Sequence, residues 1–510
     1  MDAQTLSYDF DEEAIGFGEP ETPADVAPPG LSAAEKASLA LVGLGLLSLA
    51  VQVFGGTLNG TWPGFLSSFG LLAAGGASTF WLQLKSTTAG IKHDGTFFGS
   101  LTRRGMLGWV AGILMTGIYV LLYFYPQYLG YRPAVYGSEG LVTPAQVTGG
   151  LVKTVEPVAL ALGVQTSQWF LYGVLYTLSI LVFGVRMLMK YRHNRYHQIR
   201  TLSVMFFQTV FAWYLPQILV RLNKPYVEFN GVWPLKQDYL WPEKVQGQFL
   251  GAGTTGTLLL VFAIAGVVAT PILTYFFGKR WYCSWVCGCG GLAETLGDPW
   301  RQLSSKSTKA WNIERWLIHG VLFLIVVTTL MLWIDSATSG SLYGSGFSAK
   351  LRTWYGFYIG AVFSGVVGVG FYPLLGNRVW CRFGCPQAAI LGLFQRVFSR
   401  FRITTNGGQC MSCGNCSTYC EMGIDVRAYA QRGENIVRAS CVGCGVCAAV
   451  CPRGVLRLEN GLPGDRYENA DKPLTALMES FQSPSIYGYE PWKGCPTEEA
   501  AQEAKAETKA

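Results

Sequence analysis

The chain is poor in charge: only 14% of its 510 residues are Asp, Glu, Lys or Arg, while 50% are hydrophobic. Charged residues approach a quarter of a typical soluble protein, so this composition excludes an ordinary soluble globular chain and indicates that much of it lies in lipid. The first 36 residues lack both a basic start and an apolar stretch. We therefore expect no cleavable signal peptide, and we predict a disordered acidic tail over residues 1–36.

Uncharged apolar runs make up most of the chain between residues 37 and 398. A helix needs about 20 apolar residues to cross a hydrocarbon core. Eight runs reach this length, and they begin near Ala37, Pro63, Met106, Ser167, Thr201, Phe249, Trp316 and Trp354. The break at residues 55–64 is weak, which leaves seven spans as the alternative. We predict a mainly α fold with a polytopic helical membrane domain of about eight spans over residues 37–398.

Positive charge is concentrated in the loops between these runs. The tails at residues 1–36 and 461–510 are together twelve charges negative, so residues 37–460 carry a net charge of +19. Four basic loops, at residues 85–104, 186–200, 279–309 and after 376, alternate with nearly neutral stretches at 128–166, 222–248 and 335–353. Lys and Arg favour the cytoplasmic side. This alternation predicts a multi-pass inner-membrane protein with both termini in the cytoplasm, surrounded by membrane lipid and binding no nucleic acid.

The predicted spans contain almost no ionisable side chain, His319 being the exception. Ion-coupled pumps and transporters need charged relays inside the membrane. A haem held by two histidines within the bilayer needs two of them on facing helices. The sequence therefore argues against both classes, and we interpret His319 as a packed or interfacial residue.

Thirteen of the fourteen cysteines lie between Cys283 and Cys451, and eight form two arrays of identical spacing 31 residues apart. This spacing is typical of two-cluster bacterial ferredoxins, in which the fourth cysteine of each array binds the other cluster. We predict one [4Fe-4S] cluster on Cys410, Cys413, Cys416 and Cys451, and a second on Cys441, Cys444, Cys447 and Cys420. Zinc knuckles are the alternative, although zinc sites normally use pairs of cysteines. A small α+β two-cluster ferredoxin-like domain should cover residues 399–460, followed by a flexible tail at 461–510.

Two further cysteine pairs form an internal repeat, Cys283 with Cys287 and Cys381 with Cys385, each pair three residues beyond an arginine. The four thiols could converge on one metal ion or a small iron-sulfur cluster at the membrane surface. Buried free cysteines are the alternative. Glu421 stands where a proline usually follows the fourth ferredoxin cysteine. We interpret it as a solvated helix start, with a carboxylate close to a cluster as the alternative.

These features resemble the membrane-bound polyferredoxins related to the quinol-oxidising subunit of periplasmic nitrate reductase systems, the nitrous oxide respiration regulator and the cytochrome oxidase accessory protein. The resemblance rests on the two Cys-x3-Cys pairs, Pro386-Gln387, the tandem arrays and Gly423-Ile424-Asp425, over roughly residues 250–460. Gly288 after Cys287, Glu421 and the extra N-terminal spans depart from the family pattern. The resemblance implies a four-helix membrane core and electron transfer between quinol, a cytoplasmic donor and a redox partner.

The main prediction is thus an electron-transfer subunit of an oxidoreductase in a respiratory chain, rather than a stand-alone enzyme. Two [4Fe-4S] clusters are its expected cofactors, with a third metal or iron-sulfur site and a quinone as further candidates. One alternative is an assembly factor that reduces a metal ion for a copper or haem oxidase. Another is a structural redox subunit that anchors a respiratory complex.

Overall fold

A computed structural model describes residues 31–86, 89–90, 105–137, 140–339, 346–406 and 409–460. Most of both predicted tails and most of the basic loop at residues 85–104 lie outside the described residues. The first helix begins at Ala33, because Ser32 and Glu35 form a reciprocal capping box at its N-terminus. The last residues of the predicted acidic tail are therefore helical, and the other domain boundaries stay predictions.

Seven helices in the described part of the chain are long and apolar enough to cross a membrane, which indicates a multi-pass membrane protein and confirms the predicted fold class. They are Ala33–Val53, Trp62–Lys85, Met106–Phe124, Gln168–Lys190, Arg195–Arg221, Glu243–Phe277 and Thr308–Ala337. The eighth predicted run is helical at residues 347–367. It is less apolar, with Lys350 and Arg352 in its first turns, so the described residues contain seven apolar spans rather than eight.

Several of these helices are not regular α-helices. Phe207–Tyr214, Glu243–Phe249 and Tyr355–Val367 are π-helical, as are the shorter segments Leu66–Gly70 and Trp380–Gly384. A π segment changes the hydrogen-bond ladder and frees backbone groups for other partners. Here Phe211 O accepts a hydrogen bond from Phe229 N at 3.0 Å, which attaches the following connection to the inside of the bundle.

That connection, residues 222–242, is a re-entrant segment. The sequence predicts an exterior loop, whereas the middle of the segment is buried among the helices. Val232 packs against Gly266, near the middle of the Gly253–Phe277 helix, and Tyr282 OH donates to Asn230 O at 2.9 Å. Irregular backbone is tolerated at membrane depth only where it is enclosed by protein or lines a water-filled cavity.

The ferredoxin part is closed by an antiparallel strand pair, Phe401–Thr405 with Leu456–Asn460, in which Phe401 lies opposite Asn460. An isolated bridge joins Ile403 to Ile436. Three short helices lie between the strands: Asn415–Thr418, Val426–Arg432 and Val446–Ala449. This small α+β unit agrees with the predicted ferredoxin-like domain.

Most of the remaining elements lie between the spans. Two small antiparallel pairs, Tyr131–Arg132 with Gln146–Val147 and Val135–Gly137 with Gly140–Thr143, lie between the third and fourth spans. Short helices are Pro126–Leu129, Gly150–Thr154, Glu156–Leu162, Gln237–Leu240, Leu250–Ala252, Arg280–Cys283, Gly288–Glu294, Asp298–Leu303, Tyr372–Leu375 and Pro386–Phe398.

Candidate iron-sulfur site

Glycine shapes both ferredoxin loops in the same way. Gly414 and Gly445 are equivalent in the two arrays, and both adopt the left-handed conformation, at φ 76° and 81°. Each precedes a short helix that carries the third cysteine of its array, Cys416 or Cys447. Because residues with a Cβ rarely adopt this conformation, glycine lets the loop turn back and place the third thiol beside the first two.

The structure brings the eight cysteines together in two cavities. The first cavity is lined by Cys410, Cys413, Cys416 and Cys451. The second cavity is lined by Cys441, Cys444, Cys447 and Cys420. Each array thus sends its fourth cysteine to the other cavity, and four thiols around one enclosed space fit the ligand requirement of a cubane cluster.

Burial affects the thiols that would have to ionise. Desolvation raises the pKa of Cys416 and of Cys441 to about 11. Both are therefore protonated at neutral pH without iron, and cluster binding must displace protons because the ligand is the thiolate. Ile424 N donates to Cys420 Sγ at 3.4 Å, an amide contact of the kind that raises cluster potentials.

The second array is seated on the membrane domain. Tyr196 OH donates to Gly443 O at 2.9 Å, and Arg200 Nη1 donates to Cys444 O at 2.6 Å. Further donors on the same side are Ser284 Oγ to Val442 O at 2.8 Å and Lys279 Nζ to Ala439 O at 3.1 Å. The first array has a more open setting, since Cys413 is exposed.

The two Cys-x3-Cys segments also come together in the structure. Cys283, Cys287, Cys381 and Cys385, which we call the four-cysteine site, are all buried, at 5 or 6% exposure. Cys287 and Cys385 each precede a helix, and Ala388 N donates to Cys385 Sγ at 3.4 Å. Burial raises the pKa of Cys283 to about 12.

The spacing of these four thiols bears on the kind of centre they could hold. Cys283 interacts electrostatically with both Cys381 and Cys385. Within the described residues, no three His, Cys, Asp or Glu side chains are grouped closely enough for a single metal ion. The described residues therefore show no grouping for a single ion at the four-cysteine site.

Arg378 connects the four-cysteine site to the second cavity. Its Nη1 donates to Cys283 O at 3.3 Å and to Cys381 Sγ at 3.7 Å. Its Nη2 forms ion pairs with Glu421 Oε1 at 3.0 Å and with Glu294 Oε1 at 2.6 Å. One guanidinium thus touches both candidate centres.

The solvated interpretation of Glu421 is wrong. Its side chain is fully buried, lines the second cavity and pairs with Arg301 Nη1 at 3.0 Å as well as with Arg378. Burial alone would raise the pKa of Glu421, but Arg378 and Arg301 outweigh it and hold the pKa at about 2. The proline of other ferredoxins is replaced here by an ionised anchor to the membrane domain.

The sequence also did not predict a second cluster of buried ion pairs, which is linked to Glu421 through Arg301. Asp298 forms ion pairs with Lys190 at 2.8 Å, with Arg301 at 3.1 Å and with Arg186. Burial acts to raise the pKa of Asp298, but the three cations hold it far below its usual range. Asp298 lies 112 residues from Arg186, so a local sequence pattern could not predict the ion pair between them.

Two family models match the chain. A model described as a 4Fe-4S dicluster domain matches residues 409–456, which contain both arrays. A model described as a 4Fe-4S binding domain matches residues 259–307 and 358–404, which contain the two halves of the four-cysteine site. Together with the cysteine-lined cavities, these matches define an iron-sulfur protein.

Similar curated proteins carry electron-transfer names. The chain is 27% identical over 191 residues to a protein of Escherichia coli (strain K12) named as electron transport protein YccM, covering 36% of this chain and 50% of the relative. Identity to the methylamine utilization ferredoxin-type protein MauN is 26% over 170 residues for Methylobacillus flagellatus, covering 32% and 56%. For the Paracoccus denitrificans MauN it is 25% over 231 residues, covering 43% and 73%.

The chain spans about half the length of the first two of these relatives, and no solved structure matches it significantly. The apolar helices and the family models indicate a membrane iron-sulfur protein, and the relatives show that it is similar to an electron transport protein and to ferredoxin-type proteins. These matches support a membrane polyferredoxin-like family and confirm the resemblance seen in the sequence.

Proposed function

We propose that this protein transfers electrons between its membrane domain and a redox partner that docks on the ferredoxin domain. The observation that carries the proposal is the seating of the second array against the four-cysteine site through Arg378, which touches Glu421 on one side and Cys381 Sγ on the other. When bound, iron-sulfur clusters would supply one-electron carriers with little rearrangement. The protein's own part is to hold these sites in fixed order.

The order of the sites follows from their contacts. The second cavity lies next to the membrane domain, because Tyr196 and Arg200 donate to its loop. The first cavity is the more open of the two, because Cys413 and Met411 are exposed. A partner would thus approach the first cavity, while the second cavity relays electrons to or from the four-cysteine site.

Ligand assignments belong to this proposal. Cys410, Cys413, Cys416 and Cys451 would bind the first [4Fe-4S] cluster, and Cys441, Cys444, Cys447 and Cys420 the second. Cys283, Cys287, Cys381 and Cys385 would bind a third cluster. We place the ferredoxin domain and both termini in the cytoplasm on the basic-loop pattern, with quinol or a cytoplasmic donor as the source of electrons and a respiratory complex as the setting.

The four-cysteine site provides the decisive test. Anaerobically purified protein should show three iron-sulfur signals in a redox titration followed by electron paramagnetic resonance. Replacing Cys283, Cys287, Cys381 and Cys385 together by serine should remove one signal, leave the two ferredoxin clusters and prevent their reduction through the membrane domain.

A matched control keeps the site and changes its surroundings: Cys289→Ser alters the nearest cysteine outside the proposed ligand set. It should leave all three signals present. If the quadruple variant keeps its full iron content and its clusters are still reduced through the membrane domain, the four cysteines are packing residues and the membrane domain is an anchor.

A further inference from the structure

The re-entrant segment contains an ion pair that the hydropathy pattern does not reveal. Lys236 Nζ lies 2.6 Å from Glu228 Oε1, and the two side chains keep 35% and 24% of their surface exposed. Tyr226 OH donates to the same carboxylate oxygen at 3.4 Å. Glu228 N also donates to Tyr239 OH at 2.8 Å, so both the side chain and the backbone of Glu228 are held in place.

The pair lies inside the helix bundle. The neighbouring Phe229 N bonds to Phe211 O at 3.0 Å, and the Phe229 ring lies 5.3 Å from that of Phe262. Phe211 is ten residues before the end of the Arg195–Arg221 span, or about 15 Å at 1.5 Å per residue. This is roughly half the thickness of a hydrocarbon core.

The segment also approaches the four-cysteine site. Asn230 accepts from Tyr282, the residue before Cys283. Tyr123, from the Met106–Phe124 span, interacts electrostatically with Lys236, Glu228 and Cys289. The side chain of Cys289 contacts that of Cys287. The re-entrant segment that carries the ion pair thus contacts the residue next to a cysteine of the candidate redox centre.

Charged groups at membrane depth are costly and normally face a bundle interior or a water-filled cavity. Both side chains of the pair keep part of their surface exposed, and we call the helix ends away from the ferredoxin domain the distal face. A carboxylate in such a place gains proton affinity when negative charge arrives nearby, because the low dielectric screens the charge weakly.

We propose that Glu228 is a proton-exchange site coupled to the redox state of the four-cysteine site, an inference that rests on the function proposed above. One electron passes from the reduced ferredoxin domain to the four-cysteine site, and one proton leaves water at the distal face and binds a carboxylate oxygen of Glu228. Transfer of that electron back through the ferredoxin domain to the redox partner returns the proton to the same face.

The groups facing Glu228 set the conditions for this exchange. On its own segment these are the ammonium of Lys236 and the hydroxyls of Tyr226 and Tyr239, and from the third span it is Tyr123. The remaining charges are the pair of Lys244 with Asp238 at 3.6 Å, with Lys244 Nζ also donating to Tyr226 O at 3.2 Å. Lys236 is thus the one cation in direct contact with Glu228 among the described residues.

Redox-induced infrared difference spectroscopy on the purified protein tests the proposal, with electron paramagnetic resonance on the same samples. Reduction of the wild type should produce a protonated-carboxyl band. Glu228→Gln should lose that band while keeping the ferredoxin signals, and Glu228→Asp should keep it at a shifted position. Glu243→Gln is the matched control, because Glu243 pairs with Arg352 at the distal face and its side chain is 74% exposed.

The two techniques separate the two proposals. Suppose that the wild type shows a third redox signal. If the carboxyl band is then absent, or if it survives in Glu228→Gln, the proton site is overturned and the electron-transfer proposal is unaffected. A Glu228-dependent band without a third signal removes the third cluster and overturns the coupling of Glu228 to the four-cysteine site. If Glu228→Gln loses the ferredoxin signals through misfolding, Glu228→Asp decides, since an unshifted band in that variant overturns the inference.

Discussion

The two cysteine arrays have the same spacing but different surroundings. The first array has an exposed cysteine, Cys413, and its cavity is lined by Arg427 and Arg453. The second array has a buried loop held by Tyr196 and Arg200 of the membrane domain. Spacing therefore specifies which cofactor can bind, whereas the surface beneath each loop decides which centre faces the membrane and which faces a partner.

The largest effect should come from replacing the fourth cysteine of either array with serine. Because these cysteines cross over, Cys420→Ser should remove the cluster of the second array, and Cys451→Ser that of the first. Each variant should lose about four of eight ferredoxin irons, as measured by iron analysis and electron paramagnetic resonance. Loss of the cluster in the mutated cysteine's own array would contradict the crossed arrangement.

A smaller difference should separate the two equivalent glycines. Alanine at either position costs about 1–2 kcal/mol because the conformation is left-handed. A Cβ on Gly445 would also lie 2.9 Å from Tyr196 Cε1, whereas on Gly414 the nearest atom is 4.0 Å away. Overpacking adds about 1–3 kcal/mol, so thermal unfolding should show Gly445→Ala to be clearly less stable than Gly414→Ala. Equal losses would mean that the second loop is not seated as described.

The smallest effect concerns the charge of Glu421. A carboxylate near a cluster disfavours an added electron, so Glu421→Gln should raise the potential of the second array's cluster by some tens of millivolts, on the order of 1–2 kcal/mol at an effective dielectric of about 20. The first array's cluster should not change. A potentiometric titration in which both clusters shift equally would show that the effect is not local.

The same variant has a defined pH dependence. The pKa of Glu421 is lowered from its usual 4.5 to about 2, so its contribution to stability is complete above pH 4.5 and is lost as pH falls towards 2. The difference in unfolding temperature between wild type and Glu421→Gln should therefore stay constant from pH 6 to 8. A difference that changes across this range would mean that another group titrates with it.

Much of this architecture could be predicted from the sequence because its signals are local. Apolar length placed the start of each of the seven spans within eight residues of its observed position, and array spacing placed eight cysteines. The burial of Glu421 could not be foreseen, since it depends on Arg301 and Arg378, which are distant in sequence. The burial of the re-entrant segment was not predicted because its polar residues resemble those of a surface loop when only hydropathy is considered.

The crossed cavities have a consequence for how the protein is made. The first cavity needs Cys451, and the second needs Cys447, so neither has all its thiols until the ribosome has passed residue 447. Each of the seven apolar spans found among the described residues precedes that point. Chains are synthesised at about 5–20 residues per second, so the membrane helices have many seconds to insert before either ferredoxin centre can be completed. Iron delivery is thereby postponed until the platform on which the second array rests already exists.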